Sequence, residues 1–466
     1  MIAEILNPHR SRPACALLLL AGLCGAGGLT GVTASAADKS AGAPVLGAAP
    51  LTPDQGSMVV HCGTLIDGIA EAAQRDVTVV MREGRIESLT AGKHPQATLP
   101  YLELGGYTCL PGLIDMHTHL TDRSGDTADL RVYFNRDPEE QRTISALNAA
   151  LTLSAGFTTV RNVGTYIAWT DRDMRDAINQ GRMLGPRMQV VGFYLTIPGG
   201  GGDLLVPGVA EKDIPANVRM GVARGADEFR RKAQLAIDGG ADLLKIIASG
   251  AVLAYGGVPG APEMTPEEIA AVVQVAHAAG RKVAAHAHGA QSIKEAILAG
   301  ADTIEHASYI NDEDIALAIS HHVGLSMDVY NGDYIDTEGR AQHWPEEFLR
   351  KNLETTEVQR QGFTRAVAAG ASVVYGTDSA VYPHGLNARQ FPIMVQRGMK
   401  PMQAIKAASS LAAQFMGWED RVGSLAPGHF GDLIAVKGDP LKDITLLQHV
   451  EVVIKGGTAF KLPRKR

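Results

Sequence analysis

The chain has few cysteines, no excess of basic residues and no long uninterrupted apolar run. Its 466 residues include four cysteines, and 43 Lys and Arg stand against 50 Asp and Glu. The formal charge of -7, with basic residues scattered along the chain, gives no electrostatic footprint for nucleic acid, so no nucleic-acid partner is expected. A hydrophobic fraction of 45% beside 20% charged residues excludes a disordered chain and is enough for a large core.

The N-terminal apolar stretch is predicted to be a leader and not part of the fold. It runs from Ala14 to about Leu29, is interrupted by glycines, and is followed by Ala34-Ser35-Ala36, which fits the A-x-A pattern of a signal peptidase site. Removal of residues 1–36 predicts an exported protein, periplasmic or secreted, with no membrane attachment. A retained anchor is the weaker alternative, and an imperfect lipobox before Cys24 leaves a lipoprotein as another.

Only Cys62 and Cys109 remain after removal of this leader. In an oxidising compartment they either pair as a disulfide or stay as buried free thiols. The sequence leaves both alternatives open, because it does not show whether the two Cα atoms are close enough to be bridged.

Short β-strands are predicted on both sides of a long central region. A Gly-, Ala- and Pro-rich linker over 37–57 precedes the first of them. Apolar runs between Gly and Asp turns predict strands at 58–62, 76–81, 85–89, 432–436 and 450–454. The flanks 58–110 and 419–466 are therefore expected to form one small β-sandwich domain, which requires the region between them to bring its two ends together.

The central region, 111–418, alternates strand and helix. Thr265 and Pro266 fit the N-cap and first turn of one helix, and Gly300 ends another helical pattern. Eight strands are predicted, at 112–116, 158–162, 188–193, 243–248, 283–286, 303–306, 325–329 and 372–377. Eight βα units in series predict an α/β fold with a (β/α)₈ TIM barrel, whose chemistry lies at the C-terminal ends of the strands.

His117 and His119 end the first of these strands. Alternate side chains of a strand share a face, so the two imidazoles point the same way and suit an ion such as zinc. An isolated HxH is equally well explained by two polar residues on a half-exposed strand. Four other predicted strands, however, carry residues of the same kind: Lys245, His286 with His288, His306, and Asp378. Their common position at one rim favours a metal site.

This constellation resembles the amidohydrolase superfamily, and the resemblance extends from about Met58 to Phe460. It implies two bound divalent metal ions, expected to be zinc, with Lys245 carboxylated by carbon dioxide so that it bridges them. Desolvation in an apolar strand lowers the pKa of a lysine and leaves the free amine that this modification requires. The ligands implied by the resemblance are His117, His119, Lys245, His286, His306 and Asp378.

The segments 376–379 and 382–390 are similar to the imidazolonepropionase-like branch, which contains prolidase-type dipeptidases and ochratoxin-hydrolysing amidases. This branch implies hydrolysis of an amide or peptide bond in a dipeptide or N-acyl amino acid with a free carboxylate. A hydroxide bridging the metals would attack, and Asp378 would act as the proton shuttle. The branch also implies a homo-oligomer, up to an octamer. The Gly-rich loop 198–203 departs from relatives in having no histidine, which concerns substrate preference.

Substrate-binding residues are predicted from the same rim. The resemblance assigns His286 to the metal and His288 to the substrate carbonyl oxygen, and the exchanged assignment stays open because both imidazoles face the rim. Arg389 is expected to anchor a carboxylate, or else to pair with an acidic neighbour. Glu305, beside His306, is predicted to face the other side of its strand in a structural role. The residues predicted to contact substrate are His288, Tyr255, Tyr382, His384 and Arg389.

Other functions use part of the same constellation. A lactonase or esterase, or a mycotoxin amidase of the ochratoxin type, would keep the binuclear centre and is the alternative. A deaminase of the superfamily would usually use one metal and would not need Lys245. A binding protein without catalysis is disfavoured, because no ligand position is degraded.

Overall fold

The computed structural model describes residues 55–96 and 98–463. The predicted leader, and the predicted linker as far as residue 54, lie outside the described residues. Among the described helices, none combines the length and the apolar character that crossing a membrane would require.

Strands and helices alternate along most of the described chain. The strands are β1 (Met58–Leu65), β2 (Gln74–Arg82), β3 (Arg85–Ala91), β4 (Tyr101–Pro111), β5 (Leu113–Thr118), β6 (Phe157–Asn162), β7 (Arg187–Val190), β8 (Leu243–Ile247), β9 (Lys282–Ala287), β10 (Thr303–His306), β11 (Gly324–Ser326), β12 (Val373–Val374), β13 (Leu433–Lys437), β14 (Val452–Lys455) and β15 (Thr458–Lys461). The helices are α1 (Pro138–Ser154), α2 (Thr170–Asn179), α3 (Ala226–Asp238), α4 (Pro266–Ala278), α5 (Ala290–Ala299), α6 (Asp312–Ser320), α7 (Asn331–Tyr334), α8 (Glu346–Ala369), α9 (Gln390–Gln396), α10 (Pro401–Ala407) and α11 (Ser410–Met416).

Strands from both flanks pair in one seven-stranded sheet, in the order β15-β14-β13-β4-β1-β2-β3. The two flanks therefore come together edge to edge in a single sheet, and the described residues show no clear β-sandwich of the predicted form. The reason is β4, which the sequence does not predict. It pairs in parallel with β1 and antiparallel with β13, and so joins the N-terminal strands to the C-terminal ones.

Cys62 on β1 and Cys109 on β4 form a disulfide, with their Cα atoms 5.9 Å apart. Of the two alternatives that the sequence leaves open, the structure therefore has the pair and not the free thiols. Both cysteines are fully buried in the apolar cluster on one face of the sheet, where Val60, Leu433 and Ile454 surround them.

All eight strands predicted for the central region are present, as β5 to β12, and they run parallel. They fall into two sheets, β5-β6-β7 and β12-β11-β10-β9-β8. At the two junctions between these sheets, isolated parallel bridges join Leu195 to Ile246 and Thr118 to Ser379. The α/β fold with parallel sheets is thus as predicted.

Helix ends in this region follow local rules of the sequence. The Thr265 side chain accepts from the backbone of Glu268, whose carboxylate accepts in return, so that α4 begins with the predicted cap. Helix α5 ends at Gly300, which has a φ of 97°. These caps turn the chain back so that each following strand enters the sheet from the same end.

Candidate metal centre

The predicted ligand residues meet at one end of the parallel strands. Their side chains line a single cavity of about 140 Å³. Lys245 lies in the middle of β8, and the others lie in the last residues of a strand or after it: His117 in β5 and His119 after it, His286 in β9 and His288 after it, His306 at the end of β10, and Asp378 after β12. The structure therefore brings together all six predicted ligands and His288.

Two groups of these side chains have ligand atoms close enough to share an ion. His117, His306 and Asp378 form one group, and His286, His288 and His306 form the other, with all ligand atoms of a group within 4.8 Å of one another. An Oδ1 of Asp378 also lies 2.9 Å from Nε2 of His119. Imidazoles and a carboxylate in this arrangement are the donor set that zinc prefers. Both His286 and His288 belong to the second group, so the geometry accommodates either as a ligand.

Lys245 is the unusual member of the cluster. Its Nζ is buried and has no hydrogen-bond partner among the described residues. Burial lowers the pKa of this lysine to about 8, although Glu305 and Asp378 favour its charged form. Buried polar atoms are nearly always paired, so an amine left unpaired among metal-ligand side chains fits a site completed by a bound group.

The titration of three members of the cluster, His286, His288 and Asp378, also suits metal binding. Burial, together with the neighbouring His306, holds the pKa of His286 well below its usual range. Burial likewise lowers the pKa of His288 to about 3. Burial opposes ionisation of Asp378, but His117 and His119 outweigh burial and hold the pKa of this carboxyl well below its usual range. At neutral pH these groups are neutral imidazoles and a carboxylate, which are the forms that bind cations.

Glu305 contacts the site, contrary to the prediction that it faces away. Its Oε2 lies 2.8 Å from Nδ1 of His117, and its Oε1 accepts from Arg161 at 2.5 Å. The alternation of side chains along β10 stops at His306, which has a φ of 70°. Glu305 and His306 therefore both reach the cluster. Glu305 fixes the ring of His117 with Nε2 towards the cavity, as a carboxylate beside a ligating histidine commonly does.

Asp328 does the same for His306, and the sequence does not predict it. Its Oδ1 lies 3.0 Å from Nδ1 of His306. Asn331 donates both to Asp328, at 2.6 Å, and to Asp378, at 3.0 Å. The signal was available, because Asp328 lies within the seventh predicted strand near its C-terminal end, the position that the other ligand residues occupy.

Backbone strain is concentrated at the same place. His306 and Asp378 both have positive φ, 70° and 56° respectively. This left-handed conformation is unfavourable for residues other than glycine, and it persists where surrounding structure enforces it, often at functional sites. Here it turns each side chain into the cavity at the end of its strand.

None of the four residues predicted on loops to bind substrate lines this cavity. Tyr382 is fully buried against Tyr330 and Tyr334, and His384 is buried with Nε2 3.2 Å from the carbonyl oxygen of Asp122. Tyr255 packs on Phe348, and the exposed Arg389 donates to the hydroxyl of Tyr330 at 2.8 Å. The loops therefore place these four side chains in local contacts outside the cavity lining, and their predicted contact with substrate stays a prediction.

Other loops supply the cavity wall. Three tyrosines and one arginine line it: Arg123 and Tyr133 after β5, Tyr166 after β6 and Tyr194 after β7. The hydroxyl of Tyr194 lies 3.1 Å from Nδ1 of His119. The sequence alone carries no signal for these residues, since they follow strands without any recognisable motif of their own.

Known proteins share this fold and these motifs. The profile of the amidohydrolase family matches residues 108–459. Ochratoxinase from Aspergillus niger is 28% identical over 428 residues, which cover 87% of this chain and 87% of that protein. The structure of a Xaa-Pro dipeptidase with methionine bound in its active site is 33% identical, with a TM-score of 0.81 over 87% of this chain and 100% of that one. A prolidase complexed with N-methylphosphonate-L-proline is 26% identical, with a TM-score of 0.81 over 87% of this chain and 100% of that one.

The family profile spans most of the chain, and it includes every strand end that contributes to the cluster. The relatives include a Xaa-Pro dipeptidase and an ochratoxinase, which match the branch that the segments after β12 resemble. The resemblance to this family that the sequence predicted is thereby confirmed. The chain belongs to the amidohydrolase family and is a hydrolase of amide or peptide C–N bonds.

Proposed function

We propose that this protein hydrolyses the amide bond of a dipeptide or N-acyl amino acid at a binuclear metal centre. Six side chains would hold the metal pair: His117, His119, Lys245, His286, His306 and Asp378. The two parallel sheets would act as the two arcs of one closed (β/α)₈ barrel. The bridges at both junctions support that closure, and a barrel of this kind carries its active site where these side chains lie.

The observation that carries the proposal is the unpaired, buried Nζ of Lys245. With a pKa of about 8, a fraction of this side chain is free amine at neutral pH. The amine would add to carbon dioxide, forming an N–C bond and releasing a proton. The resulting carbamate would be an anion with two oxygen donors for divalent metal ions, which a neutral amine is not.

The chain's own groups supply positioning and proton transfer. A bound metal pair would polarise the substrate carbonyl and lower the pKa of water. The carboxylate of Asp378 would accept the proton of the attacking water and donate it to the departing amine. The neutral His288, with Ser308 Oγ 2.7 Å from its Nδ1, would donate from Nε2 to the carbonyl oxygen as negative charge develops.

Two further features are part of the proposal. The disulfide and the predicted leader support an exported protein, because disulfides persist in oxidising compartments. A homo-oligomer is proposed on family resemblance, and light scattering of the purified protein measures it. The lactonase or esterase alternative is not retained, since none of the relatives named above is one. A mycotoxin amidase would perform the same bond cleavage at the same centre.

The decisive experiment combines elemental analysis with a turnover screen of dipeptides and N-acyl amino acids. We expect about two divalent ions per chain and loss of turnover on chelation. Lys245→Ala should lose metal and activity together, by at least about 100-fold, since removing even an outer partner of a ligand costs about 10–100-fold. Lys212→Ala, at an exposed position, is the control.

Added short carboxylic acids should partly restore Lys245→Ala, because they supply the missing oxygen ligands. Full activity with one metal per chain would refute the binuclear centre. A Lys245→Ala protein with two metals and normal turnover would refute the carbamate bridge.

A further inference from the structure

Two loops face each other and form one wall of the cavity. The Gly-rich loop 198–203 contributes Gly201 and Gly202, and the loop 249–262 after β8 contributes residues 251–253. None of these five residues is charged, so the wall suits an uncharged part of a substrate. The reaction described above gives neither loop a chemical role.

The two loops pack without space for a side chain between them. A Cβ added at Gly201 would lie 2.8 Å from Cβ of Ala251, and one added at Gly200 would lie 2.7 Å from Oε2 of Glu263. Such contacts are too short for real side chains. The run of glycines is therefore what allows the backbone of the first loop to lie against the second.

Glu263 ties the Gly-rich loop to the second loop. Its Oε2 accepts from the backbone N–H of Gly201 at 2.8 Å, and its own N–H donates to the carbonyl oxygen of Ala248 beside β8 at 2.9 Å. This carboxylate is thus fixed at the base of the second loop and holds the first one directly.

Lys351 on α8 holds the second loop from the other side. Its Nζ donates to the carbonyl oxygens of Ala254 and Gly256, each at 2.7 Å, and pairs with Glu347 at 2.7 Å. The side chain is 1% exposed. Three acceptors match the three donors of an ammonium group, so this buried charge is satisfied only while the loop keeps its present course.

We propose that Glu263 and Lys351 are positioning residues that hold the two-loop wall against the uncharged part of the substrate and thereby set KM. The substrate named here rests on the proposed function. Neither residue lines the cavity, and each acts on it through the loop backbone. Loosening the wall weakens binding in the ground state and transition state alike, so kcat is expected to change little.

The hydrogen bond from the N–H of Gly201 to Glu263, called the tether below, is also expected to respond to pH. Burial raises the pKa of Glu263 to about 7, although the hydrogen bond from the N–H of Gly201 and the charge of Lys351 both lower it. Lys351, paired with Glu347, is the charged group that faces this carboxylate from α8. The ionised carboxylate, present above about pH 7, is the stronger acceptor, so KM should rise as the pH falls below that value.

The test uses three substitutions in the full chain. Glu263→Leu removes the acceptor, Glu263→Gln keeps an acceptor without charge, and Glu267→Gln changes an exposed carboxylate nearby as the control. In Glu263→Leu we expect amide hydrogen exchange in 199–203 to become about tenfold faster, the scale of one charge-assisted hydrogen bond. KM should rise about tenfold, with kcat within about twofold and metal content unchanged.

Glu263→Gln should lie between the wild type and Glu263→Leu, and its KM should not rise as the pH falls below about 7. Lys351→Met should speed exchange in 250–257, whereas Arg350→Met, on the exposed side of α8, should not. The positioning role is wrong if Glu263→Leu exchanges like Glu267→Gln, or if kcat falls while KM stays constant. Hydrogen exchange needs no turnover. It therefore tests whether Glu263 holds the Gly-rich loop even if no amide is hydrolysed and the proposed function fails.

Discussion

At the scale of single residues, the positions of the arginine side chains decide where the cavity can bind the carboxylate end of a substrate. Arg389, predicted to anchor a carboxylate, is exposed and bonded to Tyr330 outside the cavity lining. Among the described residues that line the cavity, Arg123 is the one arginine. It also contacts Asp126 at 2.8 Å and Glu140 at 3.1 Å, which hold its guanidinium at the mouth.

Recognition of a free carboxylate on the substrate should therefore depend on Arg123 and not on Arg389. In Arg123→Gln we expect the preference for a free acid over its C-terminal amide, measured as a ratio of kcat/KM, to fall about tenfold. Charge-assisted hydrogen bonds contribute about 1.5–3 kcal/mol, and the 48% exposure of this side chain places the effect at the low end. Arg389→Gln is the matched control, and a loss of preference in that variant alone would contradict the assignment.

The same contrast shows what could be predicted for individual residues. Ligand residues such as His117 and Asp378 could be predicted because strand ends of a parallel α/β fold all open at one rim. The direction of a loop side chain depends instead on tertiary packing. Tyr382, only four residues after Asp378, turns into an apolar cluster with Tyr330 and Tyr334. Nothing in its local sequence distinguishes that outcome from a place in the cavity.

At the scale of elements, the unpredicted strand β4 shows the same limit. Gly105 and Gly106 interrupt its pattern and resemble a turn in the sequence. In the sheet they belong to a strand, and it is Gly63 on β1 that allows close approach, since a Cβ there would lie 1.9 Å from the carbonyl oxygen of Gly105. The pairing of β1 with β4 shifts register after Cys62 to accommodate this contact. Long-range pairing, which the local pattern does not contain, thus determines the central strand of the sheet.

A buried histidine joins three strands of that sheet. His61 on β1 has its Nδ1 2.6 Å from Glu103 on β4 and its Nε2 2.6 Å from Asp76 on β2. Carboxylates only accept, so both contacts are hydrogen bonds when the imidazole carries two protons. Burial opposes that charge, but Glu103 and Asp76 outweigh burial and raise the pKa of His61.

This arrangement predicts a stability that declines in alkaline solution. Because the pKa of His61 in the folded protein is raised above the ordinary value of 6.5, its contribution to stability is complete below that pH and is lost as the pH rises through the folded pKa. Melting temperatures from pH 6 to 9 should fall more for the wild type than for His61→Gln. Substitution of the exposed His321 by Gln should leave the wild-type slope intact. Equal slopes in the wild type and His61→Gln would show that the histidine is neutral in the fold.

At the scale of the whole molecule, the two ends of the described chain close into one sheet around the parallel strands. The pairing of β4 with β13 joins segments that lie before and after every strand carrying a ligand residue. Unfolding of this sheet therefore releases both ends of the region that forms the site. The disulfide between β1 and β4 crosslinks the N-terminal strands of that sheet.

We expect removal of this disulfide to lower the free energy of unfolding without changing the chemistry of the site. The bridge closes a loop with a sequence separation of 47, for which the chain-entropy relation gives about 4 kcal/mol. Denaturant unfolding of the double variant Cys62→Ala/Cys109→Ala, compared with the oxidised and the reduced wild type, measures this difference. The reduced wild type should match the variant. All three should keep the same kcat/KM at low temperature, because neither cysteine lines the cavity. Equal unfolding free energies in the three samples would mean that the pairing of β1 with β4 gains no stability from the covalent bond.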